Sequence, residues 1–153
     1  MALQVTKVDV WAGEMNDQPG GLAQILEQLA DGGADVECVI ARRQPDKPGT
    51  GTAFISPISG SRAQKAATTA GLSKAANIAT LRVEGPDKPG LGGRLTRAVA
   101  DAGVNTRGVS AAVMGNKFVA YFGFDSADDA NRAAKAIKSA DNAKTTRAKA
   151  RAR

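Results

Sequence analysis

The sequence predicts an α+β protein made of two tandem units, each with helices on one face of an antiparallel sheet. The main observation is an internal repeat: one order of strand, glycine turn and helix occurs twice, seventy residues apart. A second observation is the change of period, because in each copy alternating apolar residues precede a stripe of apolar residues at helical spacing. A chain of 153 residues has room for two such units.

The first copy starts with an alternating run at about 4–11 and reaches the turn Asn16-Asp17-Gln18-Pro19-Gly20-Gly21-Leu22. A helix follows, since Leu22, Ile25, Leu26 and Leu29 form an apolar stripe; we place Pro19 in its first turn and its end at Gly32-Gly33. The remaining predicted elements are strands at about 36–43 and 52–57, a helix at about 61–70 and a short closing strand near 73–78.

The second copy contains the turn Pro86-Asp87-Lys88-Pro89-Gly90-Leu91-Gly92. Its predicted elements are strands at 78–84, 106–114 and 118–124, and helices at 90–102 and 126–139, the last capped by Ser126. No closing strand is evident in this copy. The βαββαβ order, with antiparallel sheets and helices on one face, is the ferredoxin-like arrangement. We therefore expect one unit at 3–77 and a second at 78–139.

Positive charge is concentrated at the end of the sequence. The chain has 21 basic and 15 acidic residues, and the segment 140–153 holds five basic residues against one acid. This segment has no large apolar side chain to bury, so we expect a frayed helix or a disordered basic tail. The nearly neutral remainder argues against a dedicated nucleic-acid-binding protein.

The composition excludes several kinds of chemistry. The chain has no histidine and a single cysteine, which rules out a Ser-His-Asp or Cys-His relay and a cysteine-rich zinc site. We expect no catalytic residues, no metal and no cofactor. No apolar stretch is long enough for a membrane span, and the first residues lack the apolar core of a signal peptide, so we expect a cytoplasmic protein without a membrane partner.

The two glycine turns are the candidate binding sites. The first N–H groups of a helix lack internal partners, and glycines leave them accessible to a carboxylate or a phosphate. A neighbouring Asn16, Asp17 or Asp87 would suit an ammonium group, and an amino acid carries both charges. The alternative interpretation is ordinary turn and cap chemistry. A third Asp-Lys-Pro-Gly, at 46–49, precedes a strand pattern and is interpreted as a hairpin loop.

These repeated motifs, with the Ala-Gly-Val-Asn segment that follows the second helix stripe, resemble the ACT domain over residues 3–139. ACT domains are βαββαβ regulatory modules. The resemblance implies a non-enzymatic sensor that binds a small amino acid or related metabolite at the turns, allosteric regulation, a homodimer, and a separate enzyme or regulator as partner. Gly21 departs from the pattern, since a bulky apolar residue is common there. The candidate ligand-binding residues are Asn16, Asp17, Gly20, Gly21, Leu22, Asp87, Gly90, Leu91 and Gly92.

Two alternative functions remain open. One is a ligand-free structural pairing module. The other is an RNA-binding module, because the RNA-recognition motif has the same element order and an aromatic central strand. Alternation along 118–124 places Phe118, Phe122 and Phe124 on the core face, which leaves Tyr121 as the aromatic residue available for base stacking.

Overall fold

The computed structural model describes residues 2–151, with side chains through residue 143, and this part of the chain forms two four-stranded antiparallel sheets and four helices. The predicted α+β class of ferredoxin-like, ACT-like units is confirmed. In chain order the elements are β1 (Gln4–Val8), β2 (Trp11–Asn16), α1 (Gly21–Asp31), β3 (Cys38–Arg43), β4 (Thr50–Ser56), α2 (Ser61–Thr69), β5 (Ser73–Lys74), β6 (Ala79–Pro86), α3 (Leu91–Asp101), β7 (Gly108–Met114), β8 (Lys117–Phe124) and α4 (Ala127–Arg151).

The N-terminal unit comprises Asp9–Ala76 and is complete within that range. Its strands lie in the order β3-β4-β2-β5, and the two-residue β5 is the short closing strand expected near 73–78. Helices α1 and α2 contribute to its core, which is built largely from small and branched side chains. The buried core residues are Ile25, Leu29, Ala53, Ile55, Ile58, Ala63, Ala67 and Leu72.

The C-terminal unit comprises β1 and the chain from Asn77 onwards, with strand order β1-β6-β8-β7. Leucine and phenylalanine side chains from β6, β8, α3 and α4 fill its core. Phe118, Phe122 and Phe124 are at most 6% exposed, which confirms their prediction as core residues. Tyr121 lies on the other face of β8, because the strand alternates. Three aromatic rings of this strand are therefore unavailable for base stacking.

The position of β1 corrects the contiguous ranges 3–77 and 78–139 expected from the sequence. The predicted strand at 4–11 is two strands, and the first of them pairs antiparallel with β6, from Gln4 opposite Glu84 to Val8 opposite Thr80. Thus β1 supplies the closing strand that the second copy of the repeat lacks. Leu3 and Val5 pack against the C-terminal core. The segment after β8 forms helix α4 and supplies no strand to pair with the second edge of β6. Strand β1 pairs with that edge instead.

For residues 140–153 the sequence predicts a frayed helix or a disordered basic tail. Helix α4 continues to Arg151, so residues 140–151 agree with the helical alternative, and residues 152–153 lie outside the described residues. Alanine, lysine and arginine are good helix formers, and no glycine or proline interrupts the segment. The start of α4 follows the prediction, since the Ser126 hydroxyl accepts the Asp129 N–H at 3.1 Å. None of the helices in the described chain has both the length and the apolar character needed to cross a bilayer.

The repeat extends to the ends of α1 and α3. The left-handed glycine after α1 is Gly33, with φ of 79°, and the one after α3 is Gly103, with φ of 72°. An arginine from the second helix of each unit donates to a carbonyl near this helix end: Arg62 Nη2 to Asp31, the last residue of α1, at 2.6 Å, and Arg132 Nη2 to Ala102, one residue past the end of α3, at 2.9 Å. These guanidinium groups satisfy carbonyls that have no partner within the helix.

Candidate ligand-binding site

The turn between β2 and α1 is held by its own backbone. The Gln18 N–H donates to the Asn16 carbonyl and the Gly21 N–H donates to the Gln18 carbonyl, each at 3.0 Å. Gly20, at the N-cap, has φ of 88°, a left-handed conformation that glycine adopts without steric penalty. Pro19 therefore lies in the turn before α1 and not in its first turn, which corrects the predicted start of this helix.

Gly21 permits a close approach between the start of α1 and the end of β2. A Cβ added at this position would collide with the carbonyl oxygen of Asn16. Gly21 is buried although it has no side chain, so the backbone itself forms the wall of the turn. The unusual glycine noted in the sequence thus has a steric explanation.

The next amides of α1 remain available. The first α1 amide to bond a carbonyl four residues back is that of Gln24, which donates to Gly20 at 3.0 Å. No side chain caps the helix, and within the described residues the amides of Leu22 and Ala23 have no hydrogen-bond acceptor. These two N–H groups lie at the positive end of the helix dipole and suit an anionic group.

A cavity of about 230 Å³ opens at this end of α1. Its walls come from the end of β2, the first two turns of α1, the first residue of β4 and the end of α2. Most of the lining side chains are polar and uncharged, with one carboxylate at the rim. The lining residues are Glu14, Met15, Asn16, Gly21, Gln24, Ile25, Gln28, Thr50, Thr69 and Ala70.

Two ion pairs lie on the β2 side of the turn. Asp17 binds Arg43 of β3, with Nε 2.5 Å from Oδ2, and neither caps α1 nor lines the cavity. Glu14 binds Lys47 of the β3–β4 hairpin, with Nζ 2.7 Å from Oε1, and both side chains are more than half exposed. Lys47 belongs to the third Asp-Lys-Pro-Gly, which is a hairpin loop as predicted. Among the residues that line this cavity, Glu14 is the acidic one, and its carboxylate is bound by Lys47.

The turn before α3 has the same backbone conformation as the turn before α1, but its side chains differ. Gly90 has φ of 78°, and the Leu91 N–H donates to the Lys88 carbonyl at 3.0 Å, as Gly21 does to Gln18. Leu91, which occupies the position of Gly21, is only 8% exposed and belongs to the core. Arg94 Nη1 donates to the Pro89 carbonyl at 3.1 Å, so its side chain folds back over the turn. Asp87 is exposed, and its N–H donates to Asn116 at 2.7 Å.

Some of the ligand-binding residues predicted from the sequence line the cavity, and others do not. Asn16 and Gly21 line the cavity, and Gly20 shapes the turn without lining it. Leu22 does not line the cavity, although its amide has no acceptor within the described residues, and Asp17 is engaged by Arg43. At the second turn, the side chain of Leu91 packs inward and does not face a ligand.

The uncharged polar lining residues that the sequence did not indicate come from three elements. Gln24 and Gln28 are one helical turn apart on α1, and with Gly21 they form a polar stripe beside the apolar one. Thr50 lies opposite Asn16 in the β2–β4 register. Thr69, at the end of α2, is more than fifty residues from Asn16 in the sequence. Of these lining positions, only Gln24 and Gln28 could have been recognised in the sequence, because they are one helical turn apart on the same face of α1.

Comparison with solved structures shows the same fold. The ligand-free regulatory subunit of aspartate kinase from Thermus thermophilus matches with a TM-score of 0.66 and 21% identity, over 92% of this chain and 97% of that one. Protein BT0572 from Bacteroides thetaiotaomicron matches with a TM-score of 0.70 and 14% identity, over 86% and 88%. The structure of aspartokinase alpha and beta subunits matches with a TM-score of 0.63 and 17% identity, over 93% and 98%. No protein-family model and no curated protein matches the sequence.

Proposed function

We propose that this protein is a non-enzymatic regulatory module that senses a small amino-acid-like ligand at the turn before α1. The observation that carries the proposal is the polar cavity of about 230 Å³ at the start of α1, which is lined by Asn16, Gly21 and Gln24. A cavity of this size suits a small metabolite. Its neutral, hydrogen-bonding walls suit a ligand with polar groups at several positions.

The charges around the cavity support a zwitterionic ligand. The start of α1 carries a partial positive charge, which favours a carboxylate. Thr69 and Ala70 lie at the partially negative C-terminal end of α2, which favours an ammonium. The Glu14 carboxylate at the rim is already bound by Lys47. An amino acid would therefore place its carboxylate at the start of α1 and its ammonium towards the end of α2.

The proposal assigns the site to the first turn alone. At the second turn Leu91, at the position of Gly21, packs into the core, and Arg94 covers the Pro89 carbonyl. A ligand there would have to displace the arginine. We therefore propose one competent site in each chain, although the sequence repeats the turn.

A regulatory role fits the solved structures of the same fold. The Thermus thermophilus match is a regulatory subunit, and this chain covers nearly its whole length. We propose that the protein transmits ligand binding to a separate enzyme or regulator in the cytoplasm and acts as a homodimer. Ligand binding would favour one of two conformations in proportion to its difference in affinity for them.

Thermal-shift measurements with each of the twenty amino acids test the proposal. A ligand that binds the folded protein should raise the melting temperature as the logarithm of its concentration. Gln24→Ala should weaken the binding of that amino acid about five- to tenfold, because the loss of one hydrogen bond contributes about 1 kcal/mol. Gln24 is exposed and alanine favours helix, so we expect the fold to tolerate this change.

The matched control is Arg94→Ala, at the corresponding position of the second turn. It should leave the affinity unchanged. A stronger effect of Arg94→Ala than of Gln24→Ala would move the site to the second turn. The absence of a shift with all twenty amino acids would favour the ligand-free pairing module.

A further inference from the structure

The last part of helix α4 has no apolar stripe with which to pack on a core. Earlier in the helix, Ala130, Ala133 and Ile137 are buried in the C-terminal core. Seven residues make about two turns, so positions 144 and 151 fall on the same side of α4 as Ile137. They are Lys144 and Arg151, and the largest apolar residue after Ile137 is alanine. The helical backbone therefore continues where the reason for burying it has ended.

Basic residues lie on opposite sides of this part of α4. Lys135 and Lys138 are exposed on the side away from the core. Lys149 follows Lys138 by eleven residues, about three turns, and so falls on that same side. Lys144 and Arg151 fall on the other side. Cationic positions thus surround the end of the helix.

The single acidic residue near this end of α4 is engaged within the C-terminal unit. Asp141 Oδ2 accepts the N–H of Leu3 at 2.8 Å, in a partly buried contact. From residue 142 onwards the sequence has five basic residues and no acidic one. The end of α4 is therefore uniformly basic, whereas the rest of the chain is nearly neutral.

This composition favours a nucleic acid over a membrane or a protein as the partner. A helix at a membrane surface needs an apolar face, and a protein interface has an apolar core, but the end of α4 offers neither. Interfaces with DNA are more polar and much more positively charged. A helix is about 10–12 Å across and fits the major groove of B-form DNA, which is about 12 Å wide and has phosphates on both sides. Cations on opposite sides of one helix suit that groove.

We propose that the segment 142–151 of α4 binds double-stranded DNA in the major groove, through the phosphates and independently of base sequence. Lysine and arginine donate charge-assisted hydrogen bonds to phosphate oxygens, and an arginine can donate two at once. The contact is confined to this helix end, in agreement with the low net charge of the remaining chain. This inference does not depend on the proposed ligand site.

The experiment measures the affinity of the full-length protein for a labelled DNA duplex of about 20 base pairs, by fluorescence anisotropy at about 50–200 mM salt. The logarithm of the association constant should fall with the logarithm of salt concentration, with a slope of about −0.9 for each phosphate contact. The triple variant Lys144→Gln, Arg147→Gln and Arg151→Gln should make the slope shallower by about 2.7 and weaken binding at low salt at least about tenfold. Glutamine is a good helix former, so the circular dichroism spectrum should be unchanged.

The matched control removes the same charge elsewhere, with Lys7→Gln, Lys65→Gln and Lys88→Gln at exposed positions of β1, α2 and the turn before α3. Its affinity and slope should stay near those of the unchanged protein. Equal weakening in the control and the test variant would overturn the proposal, because binding would then follow net charge alone. The absence of binding at the lowest salt concentration would also overturn it.

Two competitors test the choice of partner. An RNA duplex of the same sequence should bind more weakly, because the major groove of A-form RNA is too narrow for a helix. Equal affinity for the RNA duplex would refute the placement in the major groove. Polyglutamate that displaces the labelled DNA as well as unlabelled DNA does, at equal charge concentration, would assign this helix end to an acidic protein and refute the proposal.

Discussion

Replacing both Leu3 and Val5 with alanine should destabilise the C-terminal unit and leave the N-terminal unit intact. Both side chains are half-buried against the core formed by β6, β8, α3 and α4, although they precede the whole N-terminal unit in the sequence. Burying a leucine or valine completely stabilises a protein by about 1.5–3 kcal/mol. Half-burial gives about 1 kcal/mol for each residue, so the double variant should lose about 2 kcal/mol.

For a unit of this size, such a loss lowers the melting temperature by about 10 °C. The two units can be followed separately. The chain's single tryptophan, Trp11, lies in β2 and reports on the N-terminal unit by fluorescence. Amide hydrogen exchange of β6 and β8 reports on the C-terminal unit. We expect faster exchange in β6 and β8 and an unchanged unfolding transition of Trp11.

The control for this experiment is Thr6→Ala. Thr6 is exposed and follows Val5 on the opposite face of β1, so its replacement should change stability much less. The reasoning would be refuted if the double variant lost protection in β2 and β4 while β6 and β8 stayed protected. That result would restore the contiguous unit at 3–77.

Two further predictions concern the repeated features. Gly21→Ala should destabilise the N-terminal unit by about 1–3 kcal/mol, because the added Cβ would collide with Asn16. Gly92→Ala places its Cβ in open space and should stabilise α3 by about 0.5–1 kcal/mol. Urea unfolding of both variants tests the difference. Arg62→Ala and Arg132→Ala should each lower stability by about 0.5–1 kcal/mol, with the loss confined to the unit that carries the substitution; equal losses in both units would contradict local capping.

The elements of this fold could be predicted because their signals are local. Apolar spacing located α1, α3 and the core phenylalanines of β8, and the hydroxyl of Ser126 marked the start of α4. The left-handed glycines after α1 and α3 were evident from the repeat. The partner of β1 was not, because an alternating strand has the same pattern whichever sheet it joins.

The candidate site was only partly predictable for a related reason. The glycine turn is contiguous in the sequence, so Asn16 and Gly21 could be identified. The other walls of the cavity come from α2 and β4, and their residues carry no local mark of a binding role. The pairing of Asp17 with Arg43, twenty-six residues later, likewise follows from the β3–β4–β2 packing.

The sequence by itself determined the α+β class, the internal repeat, and the exclusion of histidine-dependent chemistry, since periodicity, spacing and composition are properties of the chain. The tertiary structure alone decided which unit β1 completes and which residues surround the first turn. Both outcomes depend on contacts between distant segments: the open edge of β6 pairs with the first strand, and residues of α2 and β4 join Asn16 and Gly21 around the cavity.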